Sequence, residues 1–210
     1  VKLYFMLGLP TETDEDVLGI ADLAQKVYHV WRENTPNRSR GVRITVSTSC
    51  FVPKSHTPFQ WEAQNTQEEY LRKVTLLREH MRNKSITYNW HDPETSYLEA
   101  VLSRGDRRIA DVIEEAWRHG AKFDSWSEYF NLQTWLTAME TCGVSPAFYA
   151  NRVREKDEIL PWHVISDGVK ESYLWRERET AYAGKITPDC KVKCSGCGAD
   201  KLCKGGICHG

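Results

Sequence analysis

The sequence predicts an α/β fold on a parallel sheet, then a mainly α-helical part and a cysteine-rich tail. Three observations carry this expectation. Residues 1–7 form an apolar run that stops at Gly8-Leu9-Pro10. A helical pattern follows, and then a second strand-like run, 42–52, rich in β-branched residues. Strand, amphipathic helix, strand is a βαβ unit, and a crossover of that length joins parallel strands.

The elements follow in order. The first strand is apolar at successive positions, so we expect it to be buried on both faces. Thr11 or Thr13 can cap the next helix, whose first turn gathers acidic residues where the helix dipole favours them. Val17, Ile20, Ala21, Ala24, Val27, Tyr28 and Trp31 then recur at helical spacing, and the pattern ends near Asn34-Thr35-Pro36. After the second strand, Pro53 and Pro58 bracket a loop. A second helix is expected over 66–83, with Tyr70, Val74, Leu77 and Met81 on one face, and a third strand over 85–90.

The character changes at His91-Asp92-Pro93. Helical patterns then cover 93–103, 107–119, 125–142, 146–151 and 169–183. The expected organisation is a βαβαβ part at 1–90, a helical extension at 91–187 and a tail at 188–210. After Ile186 too few apolar residues remain to build a core.

Bulk properties exclude several classes. Of the 210 residues 40% are hydrophobic and 27% charged, an ordinary globular balance rather than a disordered one. A net charge of -1 gives no global field toward nucleic acid or membrane. No apolar run approaches the ~20 residues of a membrane helix, so a cytoplasmic protein without membrane partners is expected. The sequence opens inside a strand and without methionine, so we expect further polypeptide upstream, and count it among the partners.

Seven cysteines are present, with Cys50 and Cys142 isolated. The others are Cys190, Cys194, Cys197, Cys203 and Cys208, spaced C-x3-C-x2-C-x5-C-x4-C. Clustering at one end favours metal over a disulfide framework. Thiolates are the ligands of both zinc and iron–sulfur clusters, and the glycines among them permit the turns that wrap a metal. Four thiolates complete either site, so one is spare. Cys190, Cys194 and Cys197 are the foremost candidates, and Cys203 comes next. Lys191, Lys193, Lys201 and Lys204 make the tail basic, which suits a zinc-knuckle-like contact with RNA as well as solvated lysines.

Other residues carry two readings each. His56 at a strand end is an acid or base, or a solvated loop histidine. Asp92 caps the helix that Pro93 begins, and His91 is a pocket residue. Arg104, Arg107 and Arg108 hold a phosphate or carboxylate, or form a salt-bridged turn through Asp106. No residue is assigned a catalytic role.

Two strand ends carry a family resemblance. The stretch from Phe5 through Gly8-Leu9-Pro10-Thr11-Glu12-Thr13 to Asp16 resembles the G-[FL]-P-G-E-T-x-E-D block of radical S-adenosylmethionine (SAM) enzymes, with Thr11 where many members have glycine. The stretch from Phe51 to Pro58 resembles their P-x-x-x-T-P strand ending. Together with Trp90-His91-Asp92-Pro93, the arginine-rich turn 103–108, residues 124–130 and the tail, the chain resembles the C-terminal part of radical SAM proteins with an N-terminal cobalamin-type domain.

The resemblance implies the last strands of a partial (β/α)6 barrel. It implies an enzyme that uses a [4Fe–4S] cluster and SAM for radical chemistry on an unassigned substrate, and it leaves cobalamin open as a further cofactor. It implies Gly8, Pro10, Glu12, Pro53 and Thr57 beside the SAM pocket. For Glu12, Gly8 and Pro10 the residues themselves also read as helix and turn formers. The C-x3-C-x2-C spacing matches the family's catalytic motif, but that motif follows the first strand, so it is expected upstream. The tail is then an auxiliary iron–sulfur or zinc site. The competing expectation is a metal-stabilised binding module for RNA or a protein partner.

Overall fold

The computed structural model describes residues 1–37, 39 and 41–199. Two units emerge, one of Val1–Val52 with Gln64–Glu99, the other of Pro53–Ala63 with the chain from Ala100 onward.

The first unit is an α/β layer. Strands β1 (Lys2–Leu7), β2 (Ile44–Cys50) and β3 (Ile86–Trp90) form a parallel sheet in the order β1-β2-β3. Helix α1 (Asp14–Asn34) links the first pair and α2 (Gln67–His80) the second. Thr13 caps α1: its hydroxyl accepts from the Asp16 N–H while the Asp16 carboxylate accepts from the Thr13 N–H, a complete capping box. Thr66 caps α2 by accepting from the Glu69 N–H.

Both helices cover the same face of the sheet. Val17, Ile20, Ala21 and Ala24 of α1 and Tyr70, Val74 and Leu77 of α2 pack with Leu7, Ile44, Val46 and Ile86. The connections therefore wind in one direction, each strand moving to the next position along the sheet. Within this unit no element covers the other face. Tyr4 is 71% exposed and Met6 49%, so the expectation of a strand buried on both faces is corrected. The apolar residues that suggested burial, Tyr4 and Met6, lie on the face that no helix of this unit covers.

The second unit holds the end of α3 (Pro93–Arg104), then α4 (Arg108–Arg118), α5 (Leu132–Thr141), α6 (Pro146–Ala150) and α7 (Glu171–Tyr182). Helix α5 begins later than its periodicity suggests. Phe123 is left-handed (φ 58), Trp126 N–H bonds back to it, and Asn131 caps α5 by accepting from the Gln133 N–H. Residues 125–130 thus form turns, not helix.

The loop 53–63 belongs to this helical unit. Trp61 is fully buried and packs with Leu160, Trp162 and Leu174; its ring meets Trp175 edge-on at 5.0 Å. Arg178 and Tyr182 donate to the Glu62 carboxylate at 2.5 and 2.9 Å. The fully buried Arg104 donates to three backbone carbonyls: Tyr149 at 2.9 Å, Pro53 at 3.4 Å and Gln60 at 3.4 Å. Burial pushes its guanidinium down to about 10, and Arg154 nearby adds to this. Arg154 in turn donates to the Arg104 carbonyl and lies over the Trp162 ring.

Arg104 is thus drawn into the core instead of taking part in the turn through Asp106. Arg108 alone forms the ion pair with Asp106 expected of that turn, at 2.6 Å. Replacing Arg104 with Met leaves three buried carbonyls without their donor. We expect a loss of about 2–4 kcal/mol in urea-induced unfolding. The exposed neighbour Arg107 should tolerate alanine within about 0.5 kcal/mol in the same measurement.

Candidate functional site

The C-terminal ends of the three parallel strands are the first candidate, because parallel α/β sheets bind ligands there. After β1 the chain must turn sharply into α1. Gly8 has φ 91, and a Cβ on it would stand 2.7 Å from Asn65 Oδ1. Its N–H donates to Glu12 Oε1 at 2.9 Å. The same oxygen accepts from Lys73 Nζ at 2.7 Å, and Lys73 also donates to Asn65 Oδ1 at 3.2 Å. The Glu12 and Lys73 side chains are only 7% and 6% exposed, so this ion pair is buried.

The turn itself explains a residue choice. Glu12 N–H bonds to the Leu9 carbonyl, with Pro10 and Thr11 between them. Thr11 has φ 69, so this is a type II kind of turn, with proline pre-set at its second position and a left-handed third. Glycine suits that third position, and the exposed Thr11 is strained there.

The other strand ends add a thiol and an imidazole. Cys50 closes β2, with the Gln64 amide 3.7 Å from its sulfur, and burial pushes its thiol up to about 11. His91 follows β3. Its Nδ1 lies 2.8 Å from the Ser96 hydroxyl, and its backbone is tied to the Thr48 carbonyl. Asp92 accepts from the Thr95 N–H and so caps α3. On the bare face of the sheet a cleft of about 310 Å³ is lined by Tyr4, Ser47, Ser49, Asn89, Trp90 and His91. The hydroxyl and amide residues of this cleft were not singled out from sequence. The signal was present, since Thr45, Ser47 and Ser49 alternate with Ile44, Val46 and Thr48.

Gly8 and Glu12 are thus brought together, with Pro10 in the same turn. Pro53 and Thr57 fall in the second unit. The Pro53 carbonyl is held by Arg104, and the Thr57 hydroxyl donates to the Lys54 carbonyl at 2.7 Å.

A second cleft, of about 340 Å³, lies within the helical unit and is lined by His56, Gln60, Trp162, His163, Asp167 and Glu171. His56 is left-handed (φ 56), and its N–H and the Trp162 indole N–H both donate to Gln60 Oε1. His56 Nδ1 stands 3.7 Å from Asp167, and His163 Nε2 stands 3.4 Å from Glu171. Two imidazole–carboxylate pairs therefore face one cleft. Residues Gln60, His163 and Asp167 gave no sequence signal, because they come together only through loop 53–63.

The tail is anchored to the same wall. Lys170 N–H donates to the Cys197 carbonyl at 2.8 Å, Gly198 packs on the Gly168 carbonyl, and the Ser195 hydroxyl reaches Tyr173 at 3.2 Å. Cys190 and Cys194 are exposed and Cys197 is partly buried; none is in a disulfide. Among the described residues no three His, Cys, Asp or Glu side chains converge as a metal-holding group. Cys203 and Cys208 lie outside the described residues. Among the described residues no helix is long and apolar enough to cross a membrane.

No protein-family model matches the chain, and no solved structure matches it. An uncharacterized protein of Methanocaldococcus jannaschii is 27% identical over 114 residues, 54% of this chain and 23% of that protein. The chain therefore spans about a quarter of the relative's length.

Two outcomes test the strand-end geometry. Thr11→Gly relieves left-handed strain of about 1–2 kcal/mol against an unfolded-state entropy term of about 0.4–1 kcal/mol. We expect it to stabilise the protein by ~0.5–1 kcal/mol in urea titrations. Cys50, with its raised pKa, should alkylate about 100-fold more slowly at pH 8 than a free thiol. Mass-spectrometric mapping with iodoacetamide should find the exposed Cys190 and Cys194 modified before Cys50.

Proposed function

We propose that this chain is the C-terminal portion of a radical SAM enzyme, contributing the last strands of a partial (β/α)6 barrel. The observation that carries the reading is the winding of the sheet. Three parallel strands in sequence order, with both crossovers on one face, are what a barrel segment requires; a doubly wound sheet reverses direction and carries helices on both faces. In this reading the bare face bearing Tyr4, Ser47, Ser49 and Asn89 is the barrel interior, and the strand ends at Gly8, Cys50 and His91 form its active-site rim.

The residues fit that role by shape more than by free donors. Oε1 of Glu12 already takes the Gly8 N–H and the Lys73 ammonium. Glu12, Gly8 and Pro10 would hold the β1 turn against a bound SAM rather than grip it. Pro53 and Thr57 have their polar atoms engaged as well, which favours a framing role. The catalytic cysteines belong to the upstream polypeptide in this proposal. A [4Fe–4S] cluster with SAM supplies a 5′-deoxyadenosyl radical, and this chain's part is to position the substrate and keep water from the radical.

The tail suits an auxiliary site by its donor chemistry. Cys190, Cys194 and Cys197 are thiols outside any disulfide, and thiolates suit zinc and iron–sulfur alike. Zinc in place of a cluster would favour the binding-module reading of this segment.

The test uses the full-length protein that contains this chain, purified without oxygen. With SAM and dithionite it should form 5′-deoxyadenosine, read by liquid chromatography and mass spectrometry. Gly8→Ala should cut that yield at least about tenfold, because the left-handed strand-end turn no longer forms. A protein with neither iron nor SAM cleavage would overturn the reading.

A further inference from the structure

A third cleft, of about 490 Å³, lies in the helical unit, away from His56 and the tail, and is lined by Ile113, Trp117, Phe123, Asp124 and Trp135 among others. Its construction starts at the end of α4. Gly120 (φ 95) and Ala121 close that helix with paired bonds, Gly120 N–H to the Trp117 carbonyl and Ala121 N–H to the Ala116 carbonyl. The chain then enters the left-handed Phe123, a costly conformation for a bulky residue.

Several features of this cleft are unsatisfied. Ile113, Trp117 and Phe123 are 48%, 58% and 71% exposed, although their side chains are large and apolar. Trp126 and Tyr129 extend the aromatic surface beyond the cleft, each 61% exposed. Trp135 is 93% buried by its 7% exposure, yet its indole N–H has no acceptor among the described residues. Asp124 Oδ1 is buried and has no donor there either. A buried polar atom without a partner costs about 1–3 kcal/mol, so a donor and an acceptor left so on one cleft wall point to a ligand that supplies both.

The chemistry of that ligand follows. A carboxylate beside aromatic faces favours an organic cation, which the ring faces attract and the carboxylate pairs. A guanidinium stacks flat on rings and donates in a planar fork, which a compact ammonium does not. The indole N–H calls for a carbonyl close to that cation. The aromatic surface beyond the cleft exceeds what a free small molecule needs. Glu114 on the same wall is already paired with Arg118 and Lys122 lines the cleft too, so the carboxylate oxygen open to a cation is that of Asp124.

We propose that this cleft is a docking site for a partner polypeptide, which lays an arginine side chain over Trp117 and Phe123, pairs it with Asp124, and gives a backbone carbonyl to the Trp135 indole. This site is independent of the radical SAM reading. It holds or fails on the helical unit alone.

The test titrates the full chain with acetyl-Gly-Arg-Gly-amide and with its citrulline counterpart, which has the same shape without the charge. Binding is followed by calorimetry and by the Trp135 indole N–H resonance. The arginine peptide should bind at least about tenfold more tightly than the citrulline peptide and move the Trp135 signal. Asp124→Asn should remove that preference. Trp117→Ala, at an exposed position where misfolding is not expected, should weaken binding by about tenfold. Equal binding of the two peptides, an unmoved Trp135 resonance, or tighter binding of an oligouridylate competing for the same signal would overturn the proposal.

Discussion

The handedness of its crossovers constrains the sheet unit. A strand–helix–strand connection between parallel strands is right-handed, so the direction in which the strands are laid down decides where the helices go. Here each strand is added on the same side of the last, and α1 and α2 land together on one face. The other face is left to short polar side chains and to Tyr4 and Met6. The cleft on that face and the exposure of an otherwise apolar first strand follow from this one circumstance. Had the third strand been added beside β1, the order would have reversed, helices would cover both faces, and the hydroxyl row of β2 would have been buried.

A second constraint acts in the helical unit, and it concerns charge. Arg104 is buried with no carboxylate bonded to it among the described residues; it donates to three carbonyls from two segments, loop 53–63 and α6. Nε and Nη1 of this one side chain bond both the loop bearing Pro53 and Gln60 and the helix bearing Tyr149 and so tie the two together, while its buried Nη2 has no partner among the described residues. Arg154 repeats the logic one layer out, donating to the carbonyl of Arg104 and spreading over Trp162. Pro53 and Gln60 lie in a loop, Tyr149 in the short α6 and Arg104 at the end of α3, so their carbonyls have no sheet partner. The arginines complete what secondary structure leaves open. The cleft between His56 and His163 exists because loop 53–63 is held in this way.

Much of the sheet unit was legible in the sequence because its signals are local. The threonine cap with its acidic first turn, the helical recurrence from Val17 to Trp31 and the β-branched run of β2 each lie within one element, and each element formed where its pattern lies. Burial of the first strand was misjudged because hydrophobicity alone does not say which face a helix will cover. That depends on where the next strand is placed. The roles of Lys73, Arg104 and Gln60 were illegible for a related reason. Each acts on a partner distant in sequence: Lys73 on Glu12, Arg104 on Pro53 and Tyr149, Gln60 on Trp162. Asp92 was legible as a cap, since its acceptor and the Thr95 N–H are three residues apart.

The tail shows how a segment with no core is still given a place. Its apolar content is too small to hold it by burial, as Val192 at 79% exposure illustrates. It is held by backbone instead: Cys197 and Ser195 offer carbonyls to Lys170 and Arg176, and Gly198 approaches the Gly168 carbonyl so closely that a side chain there would stand 2.9 Å from it. Hydrogen bonds of this kind contribute about 0.5–1.5 kcal/mol each and set position rather than much stability. One cysteine is thereby anchored while Cys190 and Cys194 remain exposed. For a thiolate site such an arrangement has a physical merit. At the proposed site the placed Cys197 would lower the entropy cost of the first metal bond. The wall that anchors Cys197 also carries Asp167 and Glu171 of the histidine cleft. Metal held at the proposed site would thus act on that cleft through the backbone of residues 168–171.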